Sequence, residues 1–320
     1  MARLRHPAVV TLFLAPALGE WLSGASPPLN MVWPPAFVLV VSLYGCGVLL
    51  CREIAWRAGL GLRGLCLLGA AYAVVEEALV DRFWFDVRLA GDGGIGHYSE
   101  VWHTSVLLAV NLTVFHIVVS VVSTIVLTEL MFPGFRDRPW LEGRAWGIVA
   151  GSFVLLPSIA YGHYSLDYLP QRVVAALLVV ALALVAIRLH GHPSLWASAA
   201  VPGPARRGVA AVSFLAAAAN LLLMGLSDTG TPWPIAVVAV LAPVLLAHLL
   251  LRRRVSGPVF GRDGFRVVAG VLGFYCLFAF GVGLAGRFDL CLGAVAVGVL
   301  LWRIRRRQRE WACPRVVLDG

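Results

Sequence analysis

The stretch Ser105–Phe132, SVLLAVNLTVFHIVVSVVSTIVLTELMF, decides the fold class of this chain. Glu129 is its only acidic residue, it contains no arginine or lysine, and most of its other residues are apolar. A helix needs ~20 predominantly apolar residues to cross about 30 Å of hydrocarbon, and this run is longer than that. The stretch therefore predicts a membrane-spanning helix.

The composition of the whole chain is typical of a membrane protein. Of its 320 residues, 60% are hydrophobic and 13% are charged, whereas soluble domains have about 45–50% apolar and about 25% charged residues. All 26 basic residues are arginine, and the formal net charge is +9. Because these charges gather in alternate loops, we interpret them as an orientation signal. We expect membrane lipids as partners and no nucleic acid.

Apolar runs predict an all-α, polytopic bundle of about ten transmembrane helices. The bundle forms a single integral-membrane domain over residues 1–320. The predicted helices are Pro7–Trp21, Pro35–Cys51, Leu65–Phe85, Ser105–Phe132, Trp146–Leu169, Val173–Leu189, Gly208–Leu226, Trp233–Leu251, Phe265–Leu284 and Phe288–Trp302.

The distribution of arginine predicts how these helices are oriented. Loops rich in arginine alternate with loops that have little or none, which places both termini in the cytoplasm. A chain rich in Ala, Gly, Val, Leu and Arg, and without Lys, suggests a GC-rich bacterial genome. We therefore expect a multi-pass protein of the bacterial cytoplasmic (inner) membrane. The arginines that carry this argument include Arg52, Arg57, Arg63, Arg136, Arg138, Arg144, Arg252, Arg253, Arg254, Arg303 and Arg305.

The two halves of the chain differ in polarity. Residues 1–170 hold most of the ionisable groups inside predicted spans, and residues 171–320 are predicted to be an apolar scaffold. A charged side chain in a bilayer is costly and usually faces a cavity or a partner. We therefore expect a functional site in the first half.

Three successive helices of this half supply a candidate site. Glu76 and Glu77 lie in the third helix, His116 in the fourth, and His163 and Asp167 at i and i+4 at the end of the fifth. One carboxylate and two imidazoles can activate water, directly or through Zn²⁺. The predicted catalytic residues are these five, with His116 and His163 as the candidate metal ligands and Asp167 orienting His163.

Less specific interpretations of the same residues stay open. In one interpretation, His116 forms an ordinary hydrogen bond between neighbouring helices. In another, His163 lies at the interface and Asp167 caps the sixth helix. Glu20 of the first helix lies near the same outer face, and an interfacial position is favoured for it over the site itself.

The order of these residues resembles the CAAX-protease and bacteriocin-processing (CPBP) intramembrane proteases, which carry EExxxR, FxxxH and HxxxN/D motifs. Over about residues 65–170, Glu76-Glu77 matches the first motif, His116 the second, and His163 with Asp167 the third. Arg82 stands one position after the arginine of the motif. The resemblance implies a glutamate-dependent, metal-assisted or metal-free peptidase acting on a membrane-embedded peptide or protein, or a relative that has lost hydrolysis.

Two other classes of function remain open from the sequence. A multi-span transporter or proton-coupled carrier would account for the buried glutamate pair and for Pro16, because transporters use interrupted helices and carboxylates at the midplane. A non-catalytic subunit of a membrane complex would tolerate single substitutions of Glu76, Glu77, His116 and His163.

Overall fold

The computed structural model describes residues 6–26, 33–86, 95–160, 167–189, 195–196, 208–254 and 259–310. Thirteen α-helical segments make up most of these residues. They are α1 (Pro7–Pro16), α2 (Pro34–Val40), α3 (Gly47–Arg57), α4 (Leu62–Val74), α5 (Ile95–Tyr98), α6 (Val106–Phe115), α7 (Thr124–Met131), α8 (Arg144–Ala160), α9 (Leu169–Arg188), α10 (Val209–Leu222), α11 (Trp233–Arg254), α12 (Arg262–Leu284) and α13 (Phe288–Glu310).

Wider and tighter turns continue several of these helices. Four π-helical segments, in which hydrogen bonds run from i to i+5, follow α1, α2, α4 and α6: π1 (Ala17–Trp21), π2 (Val41–Cys46), π3 (Val75–Val80) and π4 (His116–Ser123). Two 3₁₀ segments cover Pro133–Phe135 and Leu223–Thr229, and one antiparallel hairpin joins β1 (Glu100–Val101) to β2 (Thr104–Ser105).

Six helices of the described residues are long and apolar enough to cross a membrane. Two more apolar helices, Pro7–Trp21 and Arg144–Ile159, are shorter. The predicted helical membrane bundle is thus confirmed, whereas ten spans and the orientation of the termini remain predictions. The six are Pro34–Arg57, Val106–Met131, Leu169–Arg188, Val209–Thr229, Trp233–Arg252 and Arg262–Leu284.

The other two predicted spans are also helical, but they carry too much charge to qualify by composition. Residues 62–80 include Arg63, Glu76 and Glu77, and α13 runs on into the arginine-rich segment after Trp302. The third helix ends at Val80, earlier than predicted, and Trp84 and Phe85 lie in the turn beyond it.

The helices after residue 143 expose large apolar side chains along their length. Leu177, Leu222, Ile235 and Leu292 are each more than half exposed. Such exposure suits lipid contact, because lipid tails solvate an apolar side chain as well as a protein interior does. Inside the bundle, α1 packs on π2 and α7, and α4 packs on π4 and α9.

A buried ionic group, here named the arginine cluster, joins α3 to α7 and consists of Arg52, Glu53 and Glu129, all with 0% exposure. The Arg52 guanidinium donates to Glu53 Oε1 at 2.7 Å and to Glu129 Oε1 at 3.1 Å. It also lies 4.0 Å from the ring centroid of Trp140. These contacts tie the loop after α7 to the bundle.

Further partners complete the charge balance of the arginine cluster. Arg57 Nε lies 3.4 Å from Glu53 Oε2, and Arg136 Nε lies 3.8 Å from Glu129 Oε2. The backbone N–H of Trp140 donates to Glu53, and the indole N–H of Trp196 donates to Glu129, each at 2.8 Å. Each carboxylate therefore has two guanidinium partners within 4 Å.

Candidate functional site

The four π-helical segments are the local feature that builds the candidate site. π-helices are rare, occur mostly as single turns inside α-helices, and are frequent at functional sites. Here π1 carries Glu20, π2 carries Tyr44, π3 carries Glu76 and Glu77, and π4 begins with His116. All five side chains are buried, so the wider turns coincide with the polar interior of the first half of the chain.

Glu76, Glu77 and His116, here named the glutamate–histidine cluster, are in direct contact. His116 Nε2 lies 2.7 Å from Glu77 Oε1, and His116 Nδ1 lies 3.1 Å from Glu76 Oε2. Their side chains are 0%, 6% and 1% exposed, respectively. One ligand atom from each residue lies within 4.8 Å of the others, which is close enough for all three to bind one metal ion.

Ser120 adds a fourth polar atom beside the imidazole. Its Oγ lies 3.0 Å from His116 Nδ1, one helical turn along π4. A protonated Nδ1 has one hydrogen to donate, so it cannot serve Ser120 and Glu76 at once. Only one of these two contacts can therefore use the Nδ1 hydrogen, and the hydroxyls of Tyr44 and Tyr72 are further polar neighbours of the Glu76 carboxylate.

Aromatic rings enclose the imidazole. The ring centroids of Phe115, Tyr72 and Tyr44 lie 5.1, 5.8 and 5.9 Å from that of His116. Tyr44 and Tyr72 are each 3% exposed. These rings lower the local dielectric around the imidazole, which strengthens any electrostatic interaction within the cluster.

Glu20 is the residue that sequence reasoning misplaced. An interfacial position was favoured for it, but the structure buries it to 8% exposure and gives its carboxylate electrostatic interactions with His116 and Glu77. Gly19 allows π1 to pack closely against Tyr44 and Ser120, because a Cβ on residue 19 would overlap the Tyr44 ring and lie 2.8 Å from Ser120 Oγ. This close packing brings Glu20 next to the cluster. A glycine directly before an acid in an apolar helix was the available signal.

The acceptor atoms of these carboxylates outnumber their partners. Glu20 Oε2 and Glu77 Oε2 are buried without a hydrogen-bond partner in the part of the chain that the structure describes, and the Glu76 carboxylate has only the Tyr44 and Tyr72 hydroxyls and His116 to share. Burying such atoms unmatched costs free energy. A bound cation would remove that cost, and carboxylate and imidazole donors suit Zn²⁺ and related divalent metals.

The structure brings together three of the five site residues that the sequence predicts. Glu76, Glu77 and His116 converge, and the two adjacent glutamates approach opposite nitrogens of one imidazole. His163 lies outside the described residues. Asp167 is exposed in the turn before α9, and α8 has its last described residue at Ala160, so a shared helix face for His163 and Asp167 stays a prediction.

The fold and the buried cluster together define a helical integral membrane protein. The model of an uncharacterized membrane protein family matches residues 9–302, and the chain belongs to that family. No curated protein and no solved structure matches the chain. The resemblance to CPBP proteases was wrong: the match spanning most of the chain is to a different family, and the short motifs had covered only a third of the sequence.

Proposed function

We propose that the glutamate–histidine cluster binds a divalent metal ion and that the protein is an intramembrane metal-dependent hydrolase. The observation that carries the proposal is the convergence of Glu76, Glu77 and His116 with carboxylate oxygens left unmatched. Catalytic zinc sites have three protein ligands and one open position for water. These three residues supply the ligands, and Zn²⁺ is the metal that we expect.

Glu20 would be the general base in this reaction. It lies beside the cluster without being one of the three converging residues. A metal ion held by Glu76, Glu77 and His116 would supply an activated water for attack on a substrate carbonyl carbon. Glu20 would take the proton from that water and give it to the leaving group as the C–N or C–O bond breaks. The products are a carboxylic acid and an amine or alcohol.

The substrate that we propose is a membrane-embedded peptide or protein. The cluster is buried among helices whose outer faces are apolar, so a substrate carbonyl would reach it from the bilayer. The protein would act in the cytoplasmic membrane of a bacterium, with ten spans and both termini in the cytoplasm. Fusions of a reporter enzyme to each terminus test this orientation.

The first experiment measures metal content and hydrolysis with the full-length protein in lipid nanodiscs. We expect about one Zn²⁺ per chain from the cluster, and its loss in a Glu77→Gln/His116→Ala variant. Glu142→Gln is the matched control, since Glu142 is exposed. Incubation with bacterial membranes in ¹⁸O-labelled water should place ¹⁸O in new carboxyl groups. Normal metal binding without label incorporation would contradict the hydrolase proposal alone.

A proton- or metal-coupled carrier is the second candidate, because a specific feature favours it. The first helix contains Pro16 and passes into the π turn that holds Glu20 against the cluster. Transporters place ion sites at such interrupted helices. Zn²⁺ uptake into proteoliposomes, coupled to a pH change and lost in Glu20→Gln, would favour the carrier. A non-catalytic subunit would instead tolerate Glu77→Gln and His116→Ala without any change in function.

A further inference from the structure

A hairpin outside the bundle places three metal-binding side chains together. β1 pairs with β2 so that Glu100 is opposite Ser105 and Val101 is opposite Thr104. His97 Nδ1 lies 3.0 Å from Glu100 Oε2, and His103 Nδ1 lies 3.2 Å from Glu100 Oε1. Two imidazoles from either side of the hairpin thus meet on one carboxylate.

The turn of this hairpin has an unusual conformation. Trp102 and His103 have φ values of +52° and +56°. Two-residue hairpins with both central residues at positive φ strongly prefer Asn and Gly there, and residues with larger side chains hold such a conformation at a cost of about 1–3 kcal/mol each. Histidine is among the few non-glycine residues enriched at positive φ, so the strain of this turn falls mainly on Trp102.

Ordered contacts fix the hairpin to the rest of the protein. The Ser105 N–H donates to the Trp84 carbonyl, and the Leu107 N–H donates to Ser99 Oγ, both at 2.8 Å. Gln171 Nε2 donates to the Trp102 carbonyl at 3.2 Å. The backbone that carries the three side chains is therefore held in place, and the side chains themselves need only rotate.

We propose that His97, Glu100 and His103 form a surface binding site for a divalent transition metal ion, separate from the glutamate–histidine cluster. Two imidazoles and a carboxylate are a common ligand set for zinc and neighbouring metals. His97 and His103 are 70% and 67% exposed and Glu100 is 33% exposed. The two imidazoles now contact different oxygens of Glu100, so both rings have to turn to bind one ion, and their exposure leaves room for that rotation and for water at the remaining positions. This site does not depend on the proposed hydrolase function, since none of its residues belongs to the buried cluster.

The test uses Zn²⁺ and the full-length protein in nanodiscs, purified through a tag without histidine. A Glu77→Gln/His116→Ala background removes the buried cluster, so that remaining binding reports the hairpin. Competition with a chromophoric chelator should then give one Zn²⁺ per chain. We expect His97→Ala/His103→Ala to weaken this binding by more than about 10-fold, the lower end of the loss seen when even a supporting group is removed. His248→Ala is the control, because His248 is exposed on α11.

The His103→Asn variant tests whether His103 acts as a metal ligand or as a structural residue of the turn. Asn tolerates positive φ, so this variant should keep or raise the melting temperature without metal and should still lose Zn²⁺ binding. Equal Zn²⁺ affinity in the background protein and in His97→Ala/His103→Ala would overturn the proposal. A fall in the metal-free melting temperature of His103→Asn would also overturn it, because the histidine would then serve the turn.

Discussion

Two groups of buried charge share one helix, and guanidinium groups balance the carboxylates in only one of them. The continuous helix Val106–Met131 supplies His116 to the glutamate–histidine cluster and Glu129 to the arginine cluster. In the arginine cluster, Arg52 meets two carboxylates, and indole and backbone N–H groups satisfy further lone pairs. In the other cluster, Glu76 and Glu77 both face a single imidazole, that of His116.

This difference separates a structural role from a functional one. Buried carboxylates that face guanidinium groups hold helices and loops in place, and they do so without needing a ligand. Unmatched carboxylates in a membrane protein cost stability and mark sites that bind or move a charged species. The predictions below change one cluster at a time, beginning with the largest effect.

Arg52→Met tests the balance of the arginine cluster. The substitution leaves Glu53 and Glu129 buried without their main partner, and breaking a buried pair in this way costs about 3–5 kcal/mol. Chemical unfolding of the purified protein in detergent measures the free energy. Adding Glu53→Gln and Glu129→Gln to the same variant should recover much of the loss. A change below about 1 kcal/mol for Arg52→Met, the range of exposed pairs, would show that the cluster is not a structural lock.

Zn²⁺ should stabilise the wild-type protein through the glutamate–histidine cluster. At a metal concentration 100 times the dissociation constant, the free energy of unfolding rises by about 2.7 kcal/mol. The measurement is the melting temperature with and without Zn²⁺ in a His97→Ala/His103→Ala background, which removes the hairpin. Glu77→Gln/His116→Ala should abolish the shift, and Glu142→Gln should keep it. An unchanged shift in the first of these variants would place the metal elsewhere.

The sequence predicts the helical bundle and the buried glutamates and histidine. It does not predict the π-helical turns or the partners of Arg52, and the reasons are physical. Hydropathy identified the helical bundle, because a membrane span needs a long apolar run. The cost of burying charge pointed to Glu76, Glu77 and His116 as one site. It did not show that the turns around them are π-helical, because that depends on packing between helices. Arg52, next to an arginine-rich loop, was interpreted as an orientation signal, and only the fold reveals its buried carboxylate partners.

Gly19→Ala tests whether π1 must pack closely for Glu20 to join the cluster. The added methyl group meets the Tyr44 ring and Ser120, and overpacking of this kind costs about 1–3 kcal/mol. Gly151→Ala in α8 is the matched control, since no atom lies within 4 Å of its added Cβ. That control should be neutral or slightly stabilising. Equal unfolding free energies for the two variants would show that π1 can move away from the cluster at little cost.

The smallest predicted effect is the change in unfolding free energy when one buried glutamate is replaced by glutamine. Its sign differs between the two clusters. Glu76→Gln removes one of two buried carboxylates that face the same imidazole, so it should raise the metal-free unfolding free energy by about 1 kcal/mol, at the low end for removing buried charge. The same change at Glu53 removes the negative charge that faces Arg52 and should lower it. Zn²⁺ affinity should fall in Glu76→Gln alone. If both variants are destabilised equally, Glu76 is matched in the folded protein, and the cluster is structural because its charge is already balanced without a metal.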